Sequence, residues 1–288
     1  MATLSVEGGL FGLDTTFKPR PFVKWAGGKT RLLSTLVRCV PRKYNRYFEP
    51  FLGGGALFFA VGPRCSVLND SNRELINCYK IVRDHPEDLE MALSKFVISE
   101  EEFYRIRSQD PDTMTPIDRA ARFIFLNKTC FNGVYRVNKR GQFNTPFGHY
   151  SKVSLFDSQT LGAASIALSD AKLLCGDYKA AVEDAIPGDF IYFDPPYLPV
   201  SKFSDFKRYT KEFFYESDHE ELASTFAALH KRGCLVLLSN SHHPKICALY
   251  QGFEQRTIDV PRYVNCRGDR RGSVKELLIA NFKLPAIA

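Results

Sequence analysis

Three observations place this chain among α/β folds built on a mostly parallel sheet. Short apolar runs of strand character alternate with helix-patterned segments at both ends of the chain. Several of those runs stop at residues suited to binding: Phe51-Leu52-Gly53-Gly54-Gly55, then Asn69-Asp70, then Asp194-Pro195-Pro196-Tyr197. The stretch from Arg73 to Ala167 reads instead as helices in succession, so it interrupts the alternation as an insertion. Parallel strands joined by right-handed crossovers follow from this pattern.

Residues 1–20 read as a flexible tail. Lys24-Trp25-Ala26-Gly27-Gly28-Lys29 is a compact loop, and Thr30–Val40 is a short helix stopped by Pro41. Arg46–Glu49 is a brief strand feeding the glycine run, and Ala56–Val61 turns helical. Cys65–Leu68 is a second strand, after which Ser71 or Asn72 can cap a helix carrying Leu75, Ile76 and Tyr79 at helical spacing. Pro86–Phe96, Glu100–Ser108 and Pro116–Lys128 continue the helices. Strands resume at Lys172–Cys175, Phe190–Phe193 and Cys234–Leu238, and Phe253–Val260 with Ser273–Phe282 form a C-terminal antiparallel hairpin. The domains expected are thus 21–72 with 168–288, and an inserted helical unit at 73–167.

Bulk properties narrow the class. The chain has 288 residues, 44% hydrophobic and 25% charged, an ordinary globular composition. No apolar run approaches the roughly 18 residues that span a bilayer, and the N-terminus lacks the pattern of a secretory signal. The eight cysteines show no CxxC pair and no cluster with histidine. That argues against structural metal and a disulfide framework, and suits a reducing cytoplasm.

The net charge of +7 is unevenly placed. From Arg119 to Lys152 there are seven basic residues and no acidic one, interleaved with Phe131, Tyr135, Phe143, Phe147 and Tyr150. Arg262, Arg267, Arg270 and Arg271 form a second basic stretch around Gly268 and Gly272. Basic side chains neutralise phosphates, while aromatics offer stacking or wedging surfaces, so a nucleic acid is the expected partner.

The strand ends suggest the chemistry. Glycines let a backbone approach a ligand closely, and Asp70 at the end of the second strand suits a pair of ribose hydroxyls, which together imply an adenosine-type cofactor. A dinucleotide fingerprint is incomplete, because its third glycine falls at Phe58. A phosphate-binding P-loop fails too, since Val23 stands where G-x-x-x-x-G-K-T needs glycine. Asp194 and the carbonyl of Pro195 can each accept one hydrogen of an exocyclic amine. Pro196 offers no N–H to compete, and Tyr197 can stack on a planar base.

The order Lys24–Lys29, Phe51–Gly55, Asp70, Asp194–Tyr197, with the segment Asn132–Gly148 between, resembles the DNA adenine methylase (Dam) family. These are D12-class N6-adenine methyltransferases with a Rossmann-like catalytic domain. The resemblance runs from about Pro21 to Phe282. It implies S-adenosylmethionine as methyl donor, no metal, and an adenine flipped out of duplex DNA, with GATC as the site. By the same resemblance Trp25, Lys29, Phe51, Gly53, Gly55, Asp70, Asp177, Tyr178 and Asp194 contact the cofactor, and Asp194, Pro195, Pro196 and Tyr197 form the catalytic slot. Lys24, Phe131, Asn132, Val134, Arg136 and Tyr150 contact DNA, with Arg136 reading a guanine, Phe131 wedging into the duplex and a basic hairpin at about 130–150. A monomer is expected, with a companion restriction enzyme possible. Two other readings stay open on sequence grounds: an RNA adenine or cytosine-N4 methyltransferase, and a non-catalytic DNA-binding protein on the same fold.

Overall fold

A computed structural model describes residues 17–198, 214–261 and 273–286. Most of the expected N-terminal tail, residues 1–16, lies outside them. Among the described residues, seven strands form one sheet: β1 (Tyr47–Glu49), β2 (Ser66–Asp70), β3 (Ala171–Cys175), β4 (Phe190–Phe193), β5 (Leu235–Ser241), β6 (Glu254–Pro261) and β7 (Ser273–Ala280). Their order across the sheet is β3-β2-β1-β4-β5-β7-β6. The first five run parallel, and β7 is antiparallel to both β5 and β6. The mostly parallel sheet with an antiparallel C-terminal pair is the architecture expected from the sequence.

Alternation along single strands explains why both faces are covered. Tyr47, Phe190, Tyr192 and Leu237 point into one core, while Phe48, Ile191, Phe193 and Val236 point into the other. A parallel strand buried on both sides reads as a continuous apolar run, which is why Phe190-Ile191-Tyr192-Phe193 is legible in the sequence. The first core also takes in Leu75, Phe103, Ile124 and Phe125 from helices Arg73–Asp84, Glu100–Ser108 and Pro116–Thr129. The helical segment between β2 and β3 therefore shares a continuous core with the sheet. Asn72, not Ser71, caps its first helix, accepting from the Glu74 and Leu75 amides.

Strand reversal at β1 and β4 sets the site. The chain winds from β1 through β2 to β3 in one direction, then returns to β4 beside β1 and continues to β5. Ligands bind at the carboxyl ends of strands where such winding reverses. The loops after β1, β2 and β4 converge there. Strand ends differ from the sequence expectation: β2 runs on to Asp70, β7 stops at Ala280, and β5 continues past Leu238 through Ser239, Asn240 and Ser241, all three buried. The apolar signal stops at these polar residues although the strand goes on.

Candidate active site

A cavity of about 1070 Å³ opens along the carboxyl ends of β1, β2 and β4. Its floor is the run Phe51–Gly55. Gly53 and Gly55 have φ of +49° and +64°, in the left-handed region that glycine tolerates. The space they leave is used internally. A Cβ on Gly53 would lie 2.6 Å from Trp25 Cδ1, and one on Gly55 would lie 2.8 Å from the Tyr79 hydroxyl. The sequence suggests these glycines serve the close approach of a ligand. The structure shows them required by Trp25 and Tyr79 packing against the loop, with Tyr79 Oη donating to the Gly53 carbonyl at 3.1 Å.

Asp70 braces the same loop. Its carboxylate accepts the Gly53 amide at 2.9 Å on one oxygen and the Asn72 amide at 2.9 Å on the other. Burial pushes its pKa up, and the two amide donors oppose that rise. Each oxygen keeps a lone pair for a further donor. Phe51 stacks on Tyr178 at 5.1 Å and 28°, giving an apolar wall, and Asp177 caps the short helix Tyr178–Val182 through the Lys179 amide. Glu49 lies at the back of the cavity. Burial raises its pKa to about 8, against the opposing hydrogen bond from Tyr47, so its carboxyl is largely protonated at neutral pH.

Asp194 follows directly on β4. Its Oδ1 accepts the Ser239 hydroxyl at 2.7 Å, and Ser239 Oγ lies 3.0 Å from the Tyr192 hydroxyl. Its Oδ2 lies 2.8 Å from Lys29 Nζ. Lys29, buried, also donates to the Gly27 carbonyl at 2.8 Å and sits 4.6 Å above the centre of the Tyr197 ring. Tyr197 is tethered at its far end, its hydroxyl donating to Glu276 Oε2 on β7 at 2.7 Å. Burial first, and then the charge of Asp194, hold the Tyr197 phenol far above its ordinary pKa, so it stays a donor. Pro195 is buried beneath the slot and Pro196 half-buried. Trp25, Lys29, Phe51, Gly53, Gly55, Asp70, Asp177, Tyr178 and Asp194–Tyr197 all line this one cavity. Sequence reasoning missed Ser239, Tyr192, Glu49 and Glu276. Ser239 lies past Leu238, where the apolar signal of its strand stops, and Glu276 is a polar residue on a strand, turned to the site only by pairing.

The DNA-contact candidates lie along the basic segment. Isolated bridges join Cys130 to Phe147 and Val137 to Phe143, so the expected hairpin is a ladder of single pairings. Its interior is aromatic: Tyr135 and Phe143 are buried, and Tyr135 stacks on Trp25 at 5.8 Å and 21°. Of five interleaved aromatics offered as nucleic-acid surfaces, Tyr135 and Phe143 thus belong to the core and Phe147 is half-buried against Phe103. Phe131 and Tyr150 are exposed. Asn132 is exposed with φ of +54°, and Val134 is half-buried. Arg136 is held by Asn144, donating from Nε to Oδ1 at 2.9 Å. Lys24 is pinned through its backbone by Asn127, which accepts from its amide at 2.8 Å and donates to its carbonyl at 2.7 Å. The Lys24 ammonium lies 4.7 Å over the Tyr150 ring. The second basic stretch, with Arg262, Arg267, Arg270 and Arg271, lies outside the described residues.

Residues 25–262 match the family model of D12 class N6 adenine-specific DNA methyltransferases. The chain is 41% identical over 271 residues to the Type II methyltransferase M1.LlaDCHI of Lactococcus lactis subsp. cremoris, covering 91% of this chain and 95% of that protein. It is 39% identical over 286 residues to the Type II methyltransferase M.MjaIII of Methanocaldococcus jannaschii, covering 91% and 99%. Against the DNA adenine methylase of Escherichia coli strain K12 it is 32% identical over 265 residues, covering 91% and 95%.

Proposed function

Because this chain belongs to the D12 class N6 adenine-specific DNA methyltransferases, we propose that it methylates N6 of an adenine extruded from duplex DNA, using S-adenosylmethionine, within the palindrome GATC. The observation that carries the reading is the placement of Asp194, an acceptor at the mouth of a cavity whose other end is Asp70 and an aromatic wall.

The residues fit the donor. The remaining lone pairs of Asp70 suit two ribose hydroxyls, Phe51 and Tyr178 flank an adenine ring, and Asp177 accepts from its amine. Trp25, Lys29, Gly53 and Gly55 shape the methionine end. When bound, S-adenosylmethionine supplies an electrophilic methyl group. The harder task falls on the nucleophile, because the adenine amine is conjugated with its ring. Asp194 and the Pro195 carbonyl accept its two hydrogens and so turn the nitrogen lone pair out of conjugation. Asp194 then stabilises the positive charge that grows on that nitrogen. Tyr197 stacks on the extruded base, which has to leave the duplex to reach the slot. Pro196 keeps the turn rigid.

Site reading is assigned to the basic segment. Arg136 reads guanine, for which a bidentate contact contributes about 1–3 kcal/mol of discrimination. Phe131 wedges into the duplex, Asn132 and Val134 approach bases, and Lys24 and Tyr150 contact the ends of the site. Sequencing methylated positions in DNA exposed to the purified protein and S-adenosylmethionine tests this directly. Adenine methylation confined to GATC is the expected result, with Arg136→Ala spreading it to sites that lack the guanine. Methylation at sites unrelated to GATC overturns the assignment.

A further inference from the structure

We propose that Ser239, backed by Tyr192, is a positioning residue that decides which oxygen of Asp194 faces the target amine. The inference rests on the reading of Asp194 as acceptor for that amine and deepens it.

The direction of every hydrogen bond in the chain Tyr192–Ser239–Asp194 follows from counting protons. An ionised carboxylate has none to give, a serine hydroxyl has one, and a phenol has one. Ser239 therefore spends its proton on Asp194 Oδ1 at 2.7 Å, and Tyr192 donates to Ser239 Oγ at 3.0 Å. Burial keeps the Tyr192 phenol protonated, well above its ordinary range. Both hydroxyl residues are buried, so water does not compete for these bonds.

This matters because a carboxylate turns easily about its last bond, where the torsional preference is broad. A fixed donor on Oδ1 removes that freedom and leaves Oδ2 turned into the slot. What Oδ2 meets there is the Lys29 ammonium, at 2.8 Å, lying 4.6 Å over the Tyr197 ring. Lys29 thus stands where an exocyclic amine hydrogen-bonded to Asp194, on a base stacked on Tyr197, has to come. The entering amine displaces Lys29 from Oδ2, while the Ser239 bond to Oδ1 stays through the reaction. Ser239 acts through Asp194, lies beside the Tyr197 hydroxyl as well, and touches no reacting atom, so its removal lowers the rate of methyl transfer and leaves cofactor binding alone.

The test compares Ser239→Ala, Ser239→Thr, Tyr192→Phe and Asp194→Ala. It uses single-turnover methyl transfer to a GATC duplex, S-adenosylmethionine binding by calorimetry, and thermal unfolding. Ser239→Ala is expected to slow transfer about 10- to 100-fold, the effect of losing one hydrogen bond to a charged group, with cofactor affinity unchanged. Ser239→Thr keeps the hydroxyl and restores most of the rate, and Tyr192→Phe gives a smaller loss. A Ser239→Ala protein at the normal rate overturns the proposal, as does a folded Ser239→Thr protein as slow as the alanine variant. If Ser239→Ala does not fold, Tyr192→Phe decides: an unchanged rate overturns the proposal, and a reduced one with normal cofactor affinity supports it. Asp194→Ala separates the two levels. If it retains activity, the acceptor reading itself fails. If it is inactive while Ser239→Ala is normal, only the positioning role falls.

Discussion

The slot around Asp194 and the basic hairpin solve the same problem, holding a few side chains in place, in different ways. In the slot, three groups are fixed from three different strands: Asp194 by Ser239 on β5, Tyr197 by Glu276 on β7, and the glycine loop by Asp70 on β2. In the hairpin, the buried anchor is an aromatic strip, where Tyr135 packs on Trp25, Phe123 and Phe143, with polar ties such as Arg136 to Asn144 beside it. Phe131, Asn132 and Tyr150 are left exposed. Chemistry at a single bond needs angular control, which directional hydrogen bonds supply. The DNA contact proposed for the hairpin needs a rigid spine with exposed side chains free to adjust. Trp25 belongs to both regions, stacked on Tyr135 and packed under Gly53.

Breaking the spine has the largest expected effect on stability. Tyr135→Ala removes a buried aromatic and is expected to cost about 3–5 kcal/mol, read as a lower midpoint in urea. Phe131→Ala, next door but exposed, leaves that midpoint unchanged and weakens DNA binding. Equal destabilisation by the two would erase the division between spine and reading face.

The slot floor comes next. Gly53→Ala places a Cβ against Trp25 at a positive φ and is expected to cost about 2–4 kcal/mol from strain and overpacking together. Gly62→Ala serves as its control. Gly62 has a similar φ of +60° but open space around its Cβ position, so it loses only about 1–2 kcal/mol. Calorimetric unfolding of the two variants isolates the contribution of Trp25. A Gly53→Ala protein no worse than Gly62→Ala would mean that the ring moves aside freely.

A smaller effect separates two buried titrating groups, Glu49 in the cavity wall and His219 outside it. Glu49, with its pKa raised from 4.5 to about 8, binds its proton more tightly folded than unfolded. Its contribution to stability is therefore complete below the unfolded value and fades as pH rises through about 8. His219, lowered from 6.5 to about 4 by burial, acts oppositely, costing stability as pH falls through 6.5. Above about pH 6.5 His219 is neutral in both states, so a decline in melting temperature between there and pH 8 is assigned to Glu49. Glu49→Gln is expected to flatten that decline. An unaltered slope in the variant would remove Glu49 from this role.

The legible parts of this molecule are those where one physical demand dominates. Phe190–Phe193 and the Asp194 that follows stand out because few structures other than a doubly buried strand place an unbroken apolar run against a terminal charge. The glycine loop is legible in position but not in cause, since Trp25 and Tyr79 lie far from it in sequence. Ser239, Asn240 and Ser241 read as the end of a strand because buried polar residues and turn residues share the same letters. Only the neighbouring strands show that Ser239 faces Asp194. The pairing of Lys29 with Asp194 spans 165 positions of chain and leaves no local trace. The aromatics of the basic segment are ambiguous in sequence between core and contact, and burial divides them.

Everything proposed for the slot turns on Asp194 holding the amine that receives the methyl group. Single-turnover transfer by Asp194→Ala, followed beside DNA and cofactor binding, probes that role without intermediaries. The expected outcome is a loss of about 100- to 1,000-fold or more in rate, the scale for removing one preorganised electrostatic contact, with duplex binding retained. A variant that binds DNA and methylates adenine at close to the normal rate would refute it.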